Sequence, residues 1–322
     1  MERGVYIKST QNIFYGRIRM TIEEILLTNR PNLSANSVRT YKSLISNLAK
    51  QLSIKIETPD DVISHHTEIL DHIKGQSAGG IKTRLSALIA LVEGSEQAKE
   101  TLERFGEMMQ VKMKQANKEA DDQKMTDKQK KAMIPWEDVL KKYHDLKKEV
   151  EPLLEQDDLS KEQFARFQMY VLLSCMVLIE PRRSLDWTEF KLRNVDETKD
   201  NFLRIVKRKP FLVFNTFKTA KEIGQQVIPC PPKLYKIIMG EWFFKNKHDY
   251  LLMNSTQKNK INSTQFMKLL YGFFGSNVST NILRHSFLNK KYKDVPSIKE
   301  MKRTANAMGQ SKIVQALQYV VK

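Results

Sequence analysis

The sequence predicts a mainly α-helical protein of two units, the first all helical and the second an α+β unit with a small antiparallel sheet. Apolar residues recur at helical spacing through residues 21–111. Between residues 202 and 230 the pattern changes to short runs rich in β-branched and aromatic residues, and helical spacing then returns. A chain of 322 residues is long enough for two domains.

The helices of the first unit carry recognisable start signals. Ser34 or Asn36 is expected to cap the second helix, and Thr58-Pro59 resembles a helix start with proline in the first turn. The glycine-containing stretch 75–80 is expected to be a loop between helices. No strand precedes it, so a phosphate-binding loop is the weaker interpretation.

A charged segment, residues 112–133, separates the two units. It carries both signs of charge and almost no large apolar residue, so it cannot bury a face. We expect an interdomain linker, and a solvated helical arm is the alternative.

The second unit is predicted to span residues 134–322. It should begin with two helices, and Pro181 should end the second of them, because proline cannot continue a helix. Three short runs, 202–206, 210–217 and 225–230, are then expected to pair as the antiparallel sheet. Four amphipathic helices should follow.

The charge of the chain points to a polyanionic partner. The formal net charge is +17, and residues 134–322 hold 33 Lys and Arg against 20 Asp and Glu. A basic surface of this size favours nucleic acid. A membrane is the weaker alternative, because the longest apolar run, Met169 to Ile179, has 11 residues against the ~20 needed to span a bilayer. Residues 1–20 form a basic N-terminal arm with Arg17 and Arg19, either DNA-contacting or disordered.

Neither cysteine nor histidine spacing indicates a metal site. Cys175 and Cys230 are expected to be buried thiols, because two cysteines make neither a disulfide framework nor a metal cluster. His65, His66 and His72 have no accompanying ligands at metal-binding spacing. We therefore expect neither a metal nor another cofactor.

Several residues in the second unit suit attack on a phosphodiester. Such a reaction needs cations to hold the non-bridging oxygens, an acid for the leaving oxygen and a nucleophile. Arginine suits the first role because its planar fork stays charged and grips two oxygens. Candidates occur in four places: Pro181-Arg182-Arg183 with Asp186, the turn that holds Lys218 and Lys221, the run from Asn281 through Arg284-His285, and the C-terminal stretch with Gln310 and Tyr319.

In this order the residues resemble the tyrosine recombinases, also called the phage integrase family. The resemblance covers residues 134–322, which would form the catalytic domain, and versions with a Pro-Arg-Arg box occur in large DNA viruses and their satellite elements. The helical unit, 21–111, is similar to the family's core-binding domain in length and composition. Together the two would clamp duplex DNA.

The resemblance implies roles for the arginines after Pro181 and for the lysines of the strand turn. Arg183 would be the first arginine of the site, because the family has an acid three positions later and Asp186 fits. Arg182 is the fallback. Lys218 matches a Lys-Thr form of the family's lysine in a strand turn, and it is favoured over Lys221, which fits better when counted back from Pro229.

The C-terminal residues complete the implied site. Arg284 would be the second arginine and Tyr319 the nucleophile, nine residues after Gln310 as in the family. Asn281 stands where the family usually has histidine, and Gln310 where it has histidine or tryptophan. Both can hydrogen-bond to phosphate, but neither titrates near neutral pH. His285 could take over proton transfer.

The resemblance thus implies a DNA integrase or site-specific recombinase that acts through a 3′-phosphotyrosine on double-stranded DNA. It would work as a dimer to tetramer, need no cofactor and stay inside the cell, in the host nucleus, the cytoplasm or a virus factory. Two alternatives remain. A topoisomerase or resolvase would use the same chemistry, and a catalytically weakened DNA-binding protein would keep only the fold.

Overall fold

The computed structural model describes residues 20–121, 127–275, 277–292 and 298–309. The chain divides into two compact units, Met1–Glu119 and Ala120–Lys322. The predicted arm of residues 1–20 lies, apart from Met20, outside the described residues. None of the described helices combines the length and the apolar character that a bilayer-spanning segment needs.

In the described residues of the first unit, every regular element is a helix. Its helices are α1 (Ile22–Asn29), α2 (Ala35–Leu52), α3 (Pro59–Ile73), α4 (Ala78–Val92) and α5 (Lys99–Asp121), with a 3₁₀ turn at Glu96–Ala98. Helix α4 forms the centre of its core, because it buries most of its apolar side chains from Ile81 to Val92.

The predicted helix starts of this unit are largely confirmed. Ser34 rather than Asn36 caps α2, and Thr58 caps α3 in a reciprocal capping box with Asp61, with Pro59 in the first position. The loop expected at 75–80 is shorter than predicted. Ser77 accepts a hydrogen bond from the N–H of Gly80, so α4 begins at Ala78.

The charged segment 112–133 is largely helical. Helix α5 continues through it to Asp121, and α6 occupies Asp127–Ala132. Charged residues with high helix propensity extend a helix without burying a face.

The second unit is built around α8 (Lys161–Val177), in which every residue from Met169 to Met176 is buried. A helix that is apolar on all sides belongs in the centre of a core. It packs against α7 (Trp136–Val150), which a 3₁₀ helix at Glu151–Glu155 follows, and against the π-helical turn Lys236–Trp242. The other helices are α9 (Ser184–Thr188), α10 (Ala220–Ile223), α11 (Pro232–Tyr235), α12 (Phe243–Lys245), α13 (Ser263–Phe274), α14 (Thr280–Lys291) and α15 (Ile298–Ala307).

The prediction that Pro181 ends the second helix is wrong by four residues. Helix α8 ends at Val177, and its C-cap is Leu178. The apolar run that continues to Ile179 obscured this end in the sequence. A short non-helical stretch, residues 178–181, therefore separates α8 from the two arginines.

The sheet has four strands in the order β1-β2-β3-β4. The predicted antiparallel pairing is confirmed for β2 (Asn201–Val206), β3 (Lys209–Phe214) and β4 (Gln226–Pro229). The two-residue strand β1 (Phe190–Lys191), which was not predicted, pairs parallel with β2. The mainly α prediction with an α+β second unit is therefore confirmed, with a mixed rather than a purely antiparallel sheet.

A buried asparagine joins the sheet to the arginine-bearing segment. The amide of Asn201 is 0% exposed and donates to the carbonyls of Asp186 (2.9 Å) and Thr216 (2.7 Å). Its oxygen accepts from the backbone N–H groups of Asn215 and Thr216, each at 2.8 Å. The start of β2, the end of β3 and helix α9 are thereby held together.

Candidate active site

The two adjacent arginines have very different surroundings. Arg182 is 0% exposed, and its Nε donates to Oδ2 of Asp186 at 2.7 Å. Its guanidinium lies 3.9 Å from the ring centroid of Phe214. Arg183 is only partly buried and stands at the N-cap position of α9. Because alternate side chains of an extended segment point to opposite sides, one arginine enters the core and the other faces outward.

Three arginines converge on the C-terminal end of α15. Nη1 of Arg182 donates to the carbonyl of Ala307 (2.6 Å), and Nη1 of Arg284 to that of Met308 (3.1 Å). Nη1 of Arg183 donates to the carbonyl of Gly309 (2.9 Å). The last carbonyls of a helix lack partners within the helix and carry its negative dipole end, so cations stabilise them.

Arg284 also contacts the first arginine box directly. It lies on α14 and is 0% exposed, and its Nη1 donates to the carbonyl of Pro181 at 2.9 Å. Arg284 thus connects residues about 100 positions upstream with the turn that precedes Gln310. Its neighbour His285 is 7% exposed, whereas Asn281 is exposed in the first turn of the same helix.

Two polar residues that the sequence did not single out complete this cluster. Oε1 of Gln226 accepts from Nη2 of Arg182 (2.8 Å), and its Nε2 donates to the carbonyl of Asn306 (3.0 Å). The hydroxyl of Thr219 donates to the carbonyl of Gly309 at 3.2 Å. A glutamine at the start of an edge strand carries no distinctive pattern, so only its position in space identifies it.

The turn between β3 and β4 brings the lysine candidates near this cluster. Lys218 is exposed and lies between Phe217, whose ring is 5.6 Å from the guanidinium carbon of Arg182, and Thr219. Lys221 is also exposed and lies in α10. Both chain neighbours of Lys218 therefore contact the arginine cluster.

Glu180 adds a second connection among the same elements. Its carboxylate accepts from Nζ of Lys291 at 3.3 Å and lies 3.4 Å from Nη2 of Arg303. It thereby joins the end of α14 and the body of α15 to the arginine box.

Asp186 is the buried counter-charge of the cluster. Burial raises the pKa of its carboxyl, and the nearby positive charges of Arg182, Arg284 and Arg183 oppose that rise. Burial likewise lowers the pKa of Arg182, against the attraction of Asp186. Arginine nevertheless keeps its charge in proteins, so a charged pair occupies the core.

The cluster therefore unites three of the residues that the sequence nominated, all of them arginines, with the acid at position 186. Arg182, Arg183, Asp186 and Arg284 come together, Lys218 adjoins them, and Asn281 lies one helical turn before Arg284 on α14. Gln310 and Tyr319 lie outside the described residues. In the sequence, Gln310 follows Gly309 directly. Among the described residues, no three His, Cys, Asp or Glu side chains are grouped as metal ligands.

Comparisons with known proteins give similarities to solved structures but none at the level of sequence. No family model and no curated protein matches the sequence. A solved structure of the XerH site-specific recombinase, bound to its difH substrate in a pre-cleavage complex, is similar with a TM-score of 0.45 and 11% identity. The similarity covers 92% of this chain and 90% of that chain. At this level it assigns no role to any residue.

Proposed function

We propose that the chain is a DNA recombinase or integrase of the tyrosine recombinase type, which cleaves and rejoins duplex DNA through a 3′-phosphotyrosine. One observation carries the proposal. The two arginine boxes, separated by about 100 residues, meet at the turn that leads into Gln310, with the lysine turn beside them. These are the parts that the chemistry requires, in the order in which the sequence resembles the family.

Arg183 is the residue of its pair that can bind a phosphate. Arg182 is fully buried, and each of its guanidinium nitrogens donates to a protein acceptor. Arg183 is partly exposed, and among the described residues its guanidinium donates one hydrogen bond, to the carbonyl of Gly309. We therefore assign the phosphate contact to Arg183 and a structural role to Arg182.

Arg284 supplies the second positive charge. Because it is fully buried in this structure, DNA binding must uncover it before it can reach a phosphate oxygen. The described arrangement is accordingly a closed form of the site. Two arginines on separate elements would then stabilise the charge that builds on the non-bridging oxygens.

The remaining steps follow from residue chemistry. The phenolate oxygen of Tyr319 forms a bond to phosphorus, and the bond from phosphorus to the 5′ oxygen breaks. Lys218 donates its proton to that leaving oxygen, and the amides of Asn281 and Gln310 hydrogen-bond to the phosphate. Neither amide titrates, so the phenol proton passes to solvent or to His285.

Rejoining reverses these steps. A 5′ hydroxyl attacks the phosphotyrosine, and the covalent link conserves the energy of the broken bond, so no nucleotide cofactor is consumed. The partner is double-stranded DNA, bound by a homo-oligomer of two to four chains wherever the target DNA resides. Integration of a viral or other mobile element is the expected biological setting.

The test is covalent trapping on nicked suicide duplexes made from the termini of the element that encodes the chain. A denaturing gel should show an adduct that is lost in Tyr319→Phe. Tyr271→Phe is the matched control, because Tyr271 is a partly exposed tyrosine on α13, outside the cluster. Arg183→Ala should lower adduct formation about 10²- to 10³-fold, as removal of an oxyanion donor does.

A catalytically weakened DNA-binding protein is the second candidate, favoured by the burial of Arg284 and by the amide at position 281. It predicts salt-sensitive binding of the same duplexes, no adduct, and no effect of Tyr319→Phe. A topoisomerase or resolvase would form the adduct but would not exchange strands between two duplexes.

A further inference from the structure

The hairpin between β2 and β3 ends in a group of cations without counter-charges. Arg204, Lys207, Arg208 and Lys209 lie within six residues, and no acid occurs between Asp200 and Glu222. Within the described part of the chain, none of these four side chains makes a hydrogen bond or an ion pair. On the edge strand β1, in contrast, Lys191 pairs with Asp200 at 2.8 Å. We call the turn Lys207–Arg208 with Lys209 the basic tip.

The turn itself is made of residues that fit it poorly. Lys207 and Arg208 both have positive φ, 48° and 62°. Two-residue hairpin turns of this kind favour Asn-Gly, because a side chain with a Cβ is strained in the left-handed region. The sequence therefore keeps two long cations where a turn selected only for stability would have asparagine and glycine.

Strand pairing places further positive charge beside the tip. Val206 pairs with Lys209 and Arg204 with Phe211, so Arg204 and Lys209 extend from one face of the hairpin. Nε of Arg204 is buried and has no hydrogen-bond partner among the described residues. Lys207, Arg208 and Lys209 are all exposed.

The opposite end of the hairpin is fixed to the candidate active site. Asn201 bonds to the carbonyl of Asp186, and the segment after β3 reaches Gly309 through Thr219. From Asn201 to Lys207 the strand advances six residues, about 20 Å at ~3.3 Å per residue. Along one DNA strand, at ~3.4 Å per nucleotide, this length corresponds to about six nucleotides.

We propose that the basic tip binds the phosphate backbone of the same duplex, about six nucleotides from the phosphate held by the arginine cluster. This inference rests on the proposed function, because the cluster must hold a DNA phosphate for the distance to apply. The tip strengthens binding and fixes the position of the duplex, and it takes no part in bond breaking.

The first experiment measures DNA affinity of the full-length protein against salt concentration. Lys207→Gln with Arg208→Gln and Lys209→Gln should reduce the slope of log affinity against log salt by about 2 to 3, since each phosphate contact contributes about 0.9. The control triple, Lys141→Gln with Lys148→Gln and Lys268→Gln, removes the same charge from exposed positions on α7 and α13. An equal fall of the slope in both triples would overturn the proposal.

A second variant separates charge from folding. Lys207→Asn with Arg208→Gly installs the residues that the turn prefers, so the hairpin should become more stable while the salt slope falls by about 2. Unchanged DNA binding in this variant would overturn the proposal, because the tip would then be only a turn. Binding of anionic vesicles in place of DNA, lost in the same variant, would overturn it in favour of a membrane.

Phosphate ethylation interference locates the contact. The wild-type protein should show interference about six nucleotides from the cleaved phosphate. The triple variant of the basic tip should lose this signal and keep the others. Adduct formation at saturating DNA should stay within about twofold of wild type. If the wild-type protein forms the adduct but shows no interference at that distance, only the tip contact is refuted. If the wild-type protein forms no adduct, the proposed function is refuted.

Discussion

Substitution of Gly309 by alanine tests whether the end of α15 organises the arginine cluster. Gly309 has φ +62°, and an added Cβ would lie 3.1 Å from Nη2 of Arg182 and 3.3 Å from Oε1 of Gln226. These two atoms are themselves joined by a hydrogen bond of 2.8 Å. The methyl group would therefore press on both ends of one bond.

The expected cost has two parts. Alanine in the left-handed region costs about 1 to 2 kcal/mol. The guanidinium of Arg182 cannot move freely, because it stacks on Phe214 and bonds to Asp186 and Ala307. Weakening its charge-assisted bond to Gln226 adds about 1.5 to 3 kcal/mol. Gly309→Ala should therefore lower the free energy of unfolding by about 2.5 to 5 kcal/mol.

Gly275→Ala is the matched control. Gly275 has φ +67° at the C-cap of α13, and nothing lies within 4 Å of an added Cβ, so only the first part of the cost applies. Urea unfolding followed by tryptophan fluorescence is suitable, because Trp136, Trp187 and Trp242 all lie in the second unit. The free energies of unfolding of the two variants are compared at an unchanged dependence on urea concentration. A difference below about 0.5 kcal/mol would refute the predicted crowding of Arg182 and Gln226 by the added methyl group.

Three further perturbations test the buried polar groups. Asp186→Asn should cost about 3 to 5 kcal/mol in the same assay by leaving Arg182 without its counter-charge, and a cost below 1 kcal/mol would contradict the buried pair. Asn201→Ala should cost about 2 to 4 kcal/mol, because four hydrogen bonds disappear; a neutral effect would show that water replaces them. Native Cys175 and Cys230 should resist alkylation at pH 8 until urea is added, because burial raises the pKa of both thiols, that of Cys230 to about 12. Rapid labelling of the folded protein would refute that prediction.

Much of the fold followed from local patterns in the sequence. The helix starts at Ser34 and Thr58 were predictable because capping depends on residues three positions apart. The strands β2, β3 and β4 were predictable because their composition contrasts with the helices around them. The end of α8 was not, since the apolar run continues past Val177 and only packing decides where the helix stops.

The candidate site was only partly predictable. The sequence nominated Arg182 and Arg183 together and favoured the second on spacing, and the environment now distinguishes them, with one in the core and one at the surface. Gln226 and Thr219 were not predictable, because each donates to a backbone carbonyl, 80 and 90 positions away respectively. Backbone acceptors carry no residue identity and therefore leave no pattern to recognise.

By itself, the sequence determined the two-unit helical architecture, the strong positive charge and the order of the chemically competent residues, since these depend on neighbours in the chain. Only the tertiary structure decided which arginine is buried, and that three arginines converge on consecutive carbonyls at the end of α15. The physical reason is that a helix end leaves carbonyls in need of donors, and only folding determines which side chains reach them.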